Sequence, residues 1–300
     1  MNINEPIICG IDGSPGGRRA ARTARELAEK LHARLVLVHV VPPRPPVVLP
    51  AVPVGAHPGA SAQLRELDEA DAETAFASVA DEAAGANAEQ VTMHGYAADR
   101  LSALAHARGA RLIVVGTRGR GPARSALLGS VSQELAAGSC RPVVIVPEAE
   151  LPTPHGKLGP GPVVCGVDGS QASQAALGVA TRIADDLRTR LTLVSVCANG
   201  TESSEWGSAV ELPAPDDVER LTASGEPAEV LTRAASERNA ALLIVGSRGR
   251  GLMRAALLGS VSAAAIRLAS CPVVVVPPGA TAALIQRAGH GRNPRARTAP

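Results

Sequence analysis

The sequence predicts an α/β fold with two tandem doubly wound five-stranded parallel-sheet domains of the Rossmann-like type. Short apolar runs bounded by glycine or proline alternate with helical patterns, which is typical of strands buried on both faces of a parallel sheet. The same order of segments occurs twice along the chain. The length of 300 residues also suits two domains, since a domain usually takes roughly 100–200 residues.

The internal repeat is visible in three pairs of segments. Residues 7–14 (IICGIDGS) are matched 156 positions later by VVCGVDGS. Residues 112–121 (LIVVGTRGRG) and 142–147 (PVVIVP) are matched 130 positions later by LLIVGSRGRG and PVVVVP. Because the offset falls from 156 to 130, the second unit is 26 residues shorter, and the loss lies in its middle.

The elements of the first unit follow from the spacing of its apolar residues. Apolar runs predict strands at about 6–12, 34–41, 89–94, 111–116 and 142–147. The segments between them predict helices at 16–32, 61–84, 97–108 and 129–138. The first helix has one apolar stripe from Ala20 to Leu31, as expected of a helix that packs on a sheet.

The connecting segments set the expected domain boundaries. Seven prolines within residues 41–60 predict a long, stiff surface loop. In the second unit, residues 197–217 run directly into a strand at about 218–224, so we expect the second helix there to be lost or reduced to a turn. The predicted organisation is a first domain at 1–147, a linker at 148–161, a shortened second domain at 162–278 and a disordered tail at 279–300.

Composition excludes several classes of function. One Phe, one Tyr and one Trp leave no aromatic platform for single-stranded nucleic acid, and a net charge of +2 implies no strongly basic nucleic-acid face. No apolar run is long enough for a transmembrane helix, and no targeting signal is recognisable. The five cysteines form no CxxC pair. We therefore expect a cytoplasmic protein with reduced cysteines, no bound structural metal, and neither nucleic acid nor membrane as a partner.

The clearest functional motif follows the fourth strand of each unit. In the first unit, Gly116 and Gly119 are separated by nine residues from Gly129-Ser130, at the start of a helix. Backbone N–H groups of a glycine-rich segment can surround an anion, and a helix N-terminus favours negative charge. The motif predicts a phosphate-binding cradle in which Ser130 is the N-cap residue of the helix.

This cradle differs from the common nucleotide-binding motifs. A Walker A loop needs a lysine, and both lysines, Lys30 and Lys157, lie elsewhere in the chain. The GxGxxG dinucleotide pattern would follow strand one, where the sequence reads DGSP from Asp12 onwards. In a doubly wound sheet the ligand binds where strand order reverses, so we expect Asp12 and Gly116 to face each other across one crevice. The aspartate could there accept a hydrogen bond from a base amine or a ribose hydroxyl.

These motifs resemble those of the universal stress protein family in its tandem, ATP-binding form. The resemblance rests on the G-x2-G-x9-G-[S/T] pattern, the aspartate after strand one and the last strand of each unit, and it covers about 5–147 and 162–277. It implies that ATP, with Mg²⁺, places adenine and ribose at the ends of strands one and two and its triphosphate on the glycine loop. It also implies a homodimer.

The resemblance carries a set of nucleotide-binding residues over to each unit. In the first unit they are Gly10, Asp12, Val40, Gly116, Thr117, Arg118, Gly119, Arg120, Gly121, Gly129, Ser130, Val131 and Ser132. In the second unit they are Gly166, Asp168, Val196, Gly246, Ser247, Arg248, Gly249, Arg250, Gly251, Gly259, Ser260, Val261 and Ser262. The aspartates would contact the nucleoside, Val40 and Val196 would line the adenine pocket, and the glycines and serines would hold phosphates. The loop arginines either reach the phosphates or are solvated.

Three functions fit the sequence. The first is a regulator in stress or growth arrest that binds ATP and, having no catalytic residues, hydrolyses it slowly at most. The second is a nucleotidyl transferase or ATP pyrophosphatase, which would need an HxGH-like or SGGxD-like motif that is missing after strand one. The third is a nucleotide-independent scaffold that recruits an unknown protein partner through the proline-rich loop and the arginine-rich tail. In each case we expect the last strands of the two units to pair edge to edge.

Overall fold

The computed structural model describes residues 5–43, 58–119, 128–148, 158–197, 218–249, 258–278 and 280. The strands are β1 (Ile7–Ile11), β2 (Leu35–Val41), β3 (Glu89–His94), β4 (Leu112–Gly116), β5 (Val143–Val146), β6 (Val163–Val167), β7 (Leu191–Cys197), β8 (Val218–Ser224), β9 (Leu242–Gly246) and β10 (Val273–Val276). The helices are α1 (Pro15–Lys30), α2 (Pro58–Ala77), α3 (Ala97–Ala107), α4 (Ser130–Gly138), α5 (Gln171–Leu187), α6 (Pro227–Glu237) and α7 (Ser260–Leu268). Below, the first half is β1–β5 with α1–α4, and the second half is β6–β10 with α5–α7.

All ten strands belong to one sheet, in the order β3-β2-β1-β4-β5-β10-β9-β6-β7-β8. Within each half, neighbouring strands are parallel, and strand order reverses beside β1 and beside β6. The predicted doubly wound α/β fold is therefore confirmed. The central pair, β5 and β10, is antiparallel, with Val144 opposite Val274, and so the last strands pair as the sequence indicated.

The second helix starts earlier than predicted. Helix α2 begins at Pro58, inside the segment predicted as a loop, and ends at Ala77 rather than at 84. Proline lacks an N–H and has a helical φ, so it fits the first turn of a helix, where that N–H would have no partner. Beyond Ala77 the chain continues in turns, with a bond from Ala80 N to Ala77 O (3.3 Å).

Several predictions fall on residues outside the described ranges. These include the loop at 44–57, the segment 198–217 where a helix was expected to be lost, and most of the linker and the tail. The domain boundaries therefore stay predictions. None of the helices in the described ranges is long and apolar enough to cross a membrane.

Each face of the sheet has a core that extends through both halves. On one face, α1 and α5 contribute Leu27 and Ile183, and the central strands contribute Val144 and Val274. On the other face, α3, α4, α6 and α7 pack on the alternate residues of the same strands, including Val143, Ile145, Val273 and Val275. Because these valines and isoleucines are fully buried, the apolar contacts join the two halves.

Polar contacts also link the halves beside α5. Arg111, which precedes β4, forms an ion pair with Asp186 at the end of α5, and both side chains are largely buried. Arg182 of α5 approaches Glu5 within 3.5 Å. Leu158 N, in the segment that leads into β6, donates to the Glu26 carboxylate on α1 of the first half (2.8 Å). The two halves are therefore connected by hydrogen bonds and ion pairs as well as by the shared cores.

We predict that Val274→Ala lowers the free energy of unfolding of both halves together, by about 2–3 kcal/mol, because it leaves a cavity in the shared core. Urea unfolding followed by circular dichroism should show one cooperative transition, displaced to lower urea. Leu268→Ala is the control, because Leu268 is 54% exposed on α7 and its truncation should cost less than about 0.5 kcal/mol. Two separate transitions, only one of them displaced, would contradict the shared core.

Candidate functional site

A cavity of about 400 Å³ lies at the carboxyl ends of the first-half strands, beside the point where strand order reverses. Its volume is within the range of about 300–1,000 Å³ found for small-molecule sites. The predicted residues that line it are Gly10, Asp12, Val40, Gly116, Thr117, Arg118, Gly119, Gly129, Ser130, Val131 and Ser132. Arg120 and Gly121 lie outside the described residues. The structure therefore brings every described residue of the first predicted site to one cavity.

A second cavity, of about 240 Å³, occupies the same place in the second half. The predicted residues that line it are Gly166, Asp168, Val196, Gly246, Arg248, Gly249, Gly259, Ser260, Val261 and Ser262. Arg250 and Gly251 lie outside the described residues. Ser247 was also predicted, but it does not line the cavity. It is smaller by one methyl group than its equivalent Thr117 and is fully buried.

Apart from Val40 and Val196, the sequence did not identify the residues of the apolar wall of either cavity. Val38, Leu101 and Val115 line the first cavity together with Val40. Their side chains belong to the core on the α3 and α4 face of the sheet. The signal that could have found them is strand alternation, because Val38 and Val40 are two residues apart on β2 and so share a face.

Asp12 is held in place by the turn that follows β1. Ser14 donates to Asp12 Oδ1 through its backbone N (3.0 Å) and its hydroxyl (2.6 Å). The same hydroxyl accepts from Gly17 N (3.0 Å) and caps α1. Gly13 has a φ of +76°, which favours glycine at this turn. The carboxylate is thus fixed at the rim of the cavity.

The second half builds this turn in the same way. Ser170 donates to Asp168 Oδ1 through its N (3.0 Å) and its hydroxyl (2.6 Å), and Gly169 has a φ of +76°. The Ser170 hydroxyl accepts from Ser173 N (3.2 Å). The two aspartates therefore hold equivalent positions.

Glycine is required at positions 116 and 119 because the main chain there lies close to Gly16 and Asp12. A Cβ at Gly116 would stand 2.8 Å from the carbonyl of Gly16 on α1, and a Cβ at Gly119 would clash with Asp12 Oδ2. Neither glycine has a positive φ. The predicted crevice between Asp12 and Gly116 is therefore present, with the backbone of residues 116–119 lying against the start of α1.

The N-cap residue of α4 is Gly129, and the assignment of Ser130 to that position was wrong by one residue. A Cβ at Gly129 would lie 3.0 Å from the Thr117 carbonyl, to which Gly129 N donates (2.8 Å). This close contact explains why glycine, rather than a capping side chain, occupies the position. Ser130 is the first helical residue, is exposed and lines the cavity.

Backbone N–H groups at the start of α4 lie at the cavity. The first helical hydrogen bond runs from Gln133 N to Gly129 O (3.0 Å), so the N–H groups of Ser130, Val131 and Ser132 precede it. Helix α7 starts in the same way, with Gly259 as its N-cap residue and a bond from Ala263 N to Gly259 O (2.9 Å). Each cavity thus has a helix N-terminus at its polar end.

Ser132 holds the cradle together. Its side chain is 2% exposed, and its hydroxyl lies within donating distance of Thr117 O (3.1 Å) and Gly129 O (2.9 Å). The equivalent Ser262 donates to Gly246 O (2.6 Å). These bonds join the helix start to the strand end, so the two serines position the N–H groups around them.

The loop arginines differ between the halves. Arg118 lines the first cavity and forms an ion pair with Glu148 (2.9 Å). Arg248 lines the second cavity, and the residue equivalent to Glu148 in the second half is Pro278. Arg124 and Arg254 lie outside the described residues. The positive charge beside the first cradle is thus partly balanced by a carboxylate.

Two buried cysteines, Cys9 and Cys165, lie outside the linings of the cavities. Burial raises the pKa of the Cys165 thiol to about 12, and burial likewise raises the pKa of Cys9, so both thiols stay protonated at neutral pH. Within the described ranges, no three His, Cys, Asp or Glu side chains are grouped so that they could hold a metal ion. Each cavity combines one apolar wall with one end rich in backbone N–H groups, which matches a flat apolar group joined to an anion.

We predict that Gly16→Ala destabilises the protein by about 1–3 kcal/mol, because the new Cβ would clash with the carbonyl oxygen of Arg118. Gly178→Ala is the matched control, because Gly178 is exposed on α5 and an added Cβ meets nothing within 4 Å. That control should gain about 0.5–1 kcal/mol. Both values come from urea unfolding. Equal stabilisation by the two alanines would show that the loop does not pack on α1.

Comparisons with known proteins give matches along most of the chain. The model of the universal stress protein family matches residues 4–147 and 198–277, so its second match starts later than the motif resemblance at 162. A universal stress protein of Mycobacterium tuberculosis is 32% identical over 299 residues, covering 91% of this chain and 97% of that protein. One from Mycolicibacterium smegmatis is 30% identical over 296 residues, with coverage of 91% and 97%.

Solved structures share the fold. A universal stress protein from Archaeoglobus fulgidus matches with a TM-score of 0.65 and 21% identity, covering 92% of this chain and 99% of its own. Shorter universal stress proteins, solved in complex with cAMP and with dAMP, each cover 48% of this chain and 98% of their own. Their identities are 27% and 20%, and their TM-scores 0.35 and 0.32. Given the family match and relatives of the same length, the chain belongs to the universal stress protein family.

Proposed function

We propose that this chain binds an adenine nucleotide, ATP with Mg²⁺, in both cavities, and that occupancy regulates its activity in stress or growth arrest. The observation that supports the proposal most strongly is the packing of Gly116 and Gly119 against Gly16 and Asp12. Because no side chain fits at positions 116 and 119, main-chain atoms line this part of the cavity. A cavity surface made of main-chain atoms beside a helix N-terminus favours a phosphate chain as ligand.

The proposed position of the phosphates is the N-terminus of α4. The N–H groups of Ser130, Val131 and Ser132 precede the first helical hydrogen bond, and the positive end of the helix dipole favours anions. Thr117 lines the same cavity, and its buried hydroxyl has no hydrogen-bond partner within the described part of the chain. A phosphate oxygen would supply the missing partner. Mg²⁺ would enter as the nucleotide complex.

The proposed position of the base is the apolar wall. Val38, Val40, Leu101 and Val115 supply it, and an adenine ring buried there would leave water. Asp12 lies at the rim with its Oδ1 fixed by Ser14, so the carboxylate can receive a hydrogen bond from the nucleoside without reorganising. The cavity thus has an apolar region that suits the base and a polar region that suits the phosphates.

The proposed role is regulatory, with at most slow hydrolysis. The residues assembled at the cradle are chiefly glycines, and the serine at its centre, Ser132, directs its hydroxyl to backbone carbonyls. Catalysis needs a positioned base or acid within hydrogen-bond reach of the reacting group. The regulatory role, a homodimeric state and a cytoplasmic location are further parts of this proposal.

Isothermal titration calorimetry of the purified chain with ATP and Mg²⁺ tests the proposal, and thermal unfolding supplies a second readout. If ATP is present at 100 times its dissociation constant, binding should add about 2.7 kcal/mol per occupied site to the free energy of unfolding. No heat and no thermal shift with millimolar ATP would refute the proposal and favour the nucleotide-independent scaffold.

We predict that Ser130→Asp and Ser260→Asp each abolish or weaken nucleotide binding in one cavity by at least about fivefold. The carboxylate would face the phosphates, and like charges about 4 Å apart repel by about 1–4 kcal/mol. Folding should be unchanged or gain about 0.3–1 kcal/mol, since an acidic residue suits the first turn of a helix. Calorimetry and thermal unfolding without nucleotide measure the two effects.

Gln133→Glu is the matched control for the charge. Gln133 is exposed on α4, one turn from Ser130, and does not line the cavity. Its substitution should change the affinity for ATP by less than about twofold, since solvent screens the added charge. Unchanged affinity in the Ser130→Asp and Ser260→Asp double variant would show that the phosphates do not lie at these helix starts.

A further inference from the structure

The two cavities are built on equivalent backbones but differ in the residues next to Ala97 and Pro227, which line them. Strands β3 and β8 are each followed by a glycine with a positive φ, Gly95 with φ +132° and Gly225 with φ +137°. The residue that follows is the N-cap of the next helix in each half. It is Tyr96 in the first half and Glu226 in the second.

Tyr96 does not itself line the first cavity, but both of its chain neighbours are located near it. Gly95 N donates to Val41 O (2.9 Å), which fixes the turn to the end of β2, one residue beyond Val40. Ala97, on the other side of Tyr96, lines the first cavity. Tyr96 is therefore flanked by a residue bonded to β2 and by a residue of the cavity wall.

The Tyr96 ring is available for contact with a ligand. It is 68% exposed, in a chain that contains one Tyr, one Phe and one Trp. As the N-cap residue of α3 it makes no side-chain capping bond, so the ring can change rotamer without loss of a cap. An exposed ring that covers a nucleobase removes apolar surface of both partners from water.

The rest of the rim and wall also differs between the halves. Arg100 Nε donates to His94 O (2.8 Å) beside Gly95, whereas its equivalent in the second half, Val230, is buried. Two wall positions have larger residues in the second cavity, with Ser173 in place of Gly17 and Pro227 in place of Ala97. These replacements accord with the smaller volume, about 240 Å³ against about 400 Å³.

We propose that the two cavities are unequal nucleotide sites and that Tyr96 determines the base affinity of the first, by stacking its ring on the nucleobase. This inference rests on the proposed function. The second cavity, with the Glu226 carboxylate at the same position and less room, binds the same nucleotide more weakly, because a carboxylate has no aromatic face on which a base can stack.

The single tyrosine permits a direct test. Full-length protein containing 3-fluorotyrosine gives one ¹⁹F resonance, from Tyr96. ATP with Mg²⁺ and adenosine should both shift this resonance, because a stacked base adds a ring current. Tripolyphosphate, which has no base, should leave it unchanged. A resonance that ATP does not move while calorimetry shows the first cavity to be occupied would overturn the inference and leave the proposed function standing.

Affinity measurements give the second test, in proteins where one cavity is blocked. With Ser260→Asp present, Tyr96→Ala should weaken ATP binding by at least about fivefold, the lower end of the range for base stacking on aromatic side chains, and Tyr96→Phe should stay within twofold of the parent. With Ser130→Asp present, Glu226→Tyr should strengthen binding to the second cavity by a similar factor. Because Tyr96 and Glu226 are exposed, these changes leave the fold intact.

The outcomes separate the two proposals. If Tyr96→Ala changes the affinity of the first cavity for ATP by less than twofold, the proposed role of Tyr96 is wrong. That result would leave the inequality of the two cavities standing. Equal affinities of the two cavities in the unmodified chain would overturn their inequality. Absence of ATP binding in the unmodified chain would overturn the proposed function and, with it, this inference.

Discussion

The close packing of the backbone at Gly116 against Gly16 is the constraint on which the rest of the site depends. Because a Cβ would stand 2.8 Å from the Gly16 carbonyl, the strand end and the start of α1 can meet only through glycine. This contact brings Asp12 beside the loop, and Ser132 then ties the start of α4 to the same strand end. The cavity is the space that remains between these backbone segments and the apolar residues of β2 and β4.

The antiparallel pairing of β5 and β10 places the two cavities on one continuous sheet. Strands within each half are parallel, so reversing the direction at the centre points the carboxyl ends of the two halves to opposite edges of the sheet. The cavities therefore open at opposite edges, while the cores beneath them are shared. Ligands bound in the two cavities would therefore not contact each other.

The sequence was sufficient for the fold and for most of the site because both depend on short-range patterns. The repeat, the buried strands and the glycine spacing predicted the sheet and the meeting of Asp12 with Gly116. Reasoning from the sequence failed where the role of a residue depends on its tertiary contacts. Gly129 replaces Ser130 as the N-cap because of the Thr117 carbonyl, and the turn that contains Tyr96 is bonded to β2 through Gly95.

Hydrogen exchange of the backbone amides tests most directly whether main-chain N–H groups hold the phosphates. The amides of residues 130–132 and 260–262 precede the first hydrogen bonds of their helices and should exchange fast in the ligand-free protein. ATP with Mg²⁺ and tripolyphosphate should slow them, and adenosine should not. If calorimetry shows ATP bound while these amides exchange at their ligand-free rate, the phosphates lie elsewhere and the account is wrong.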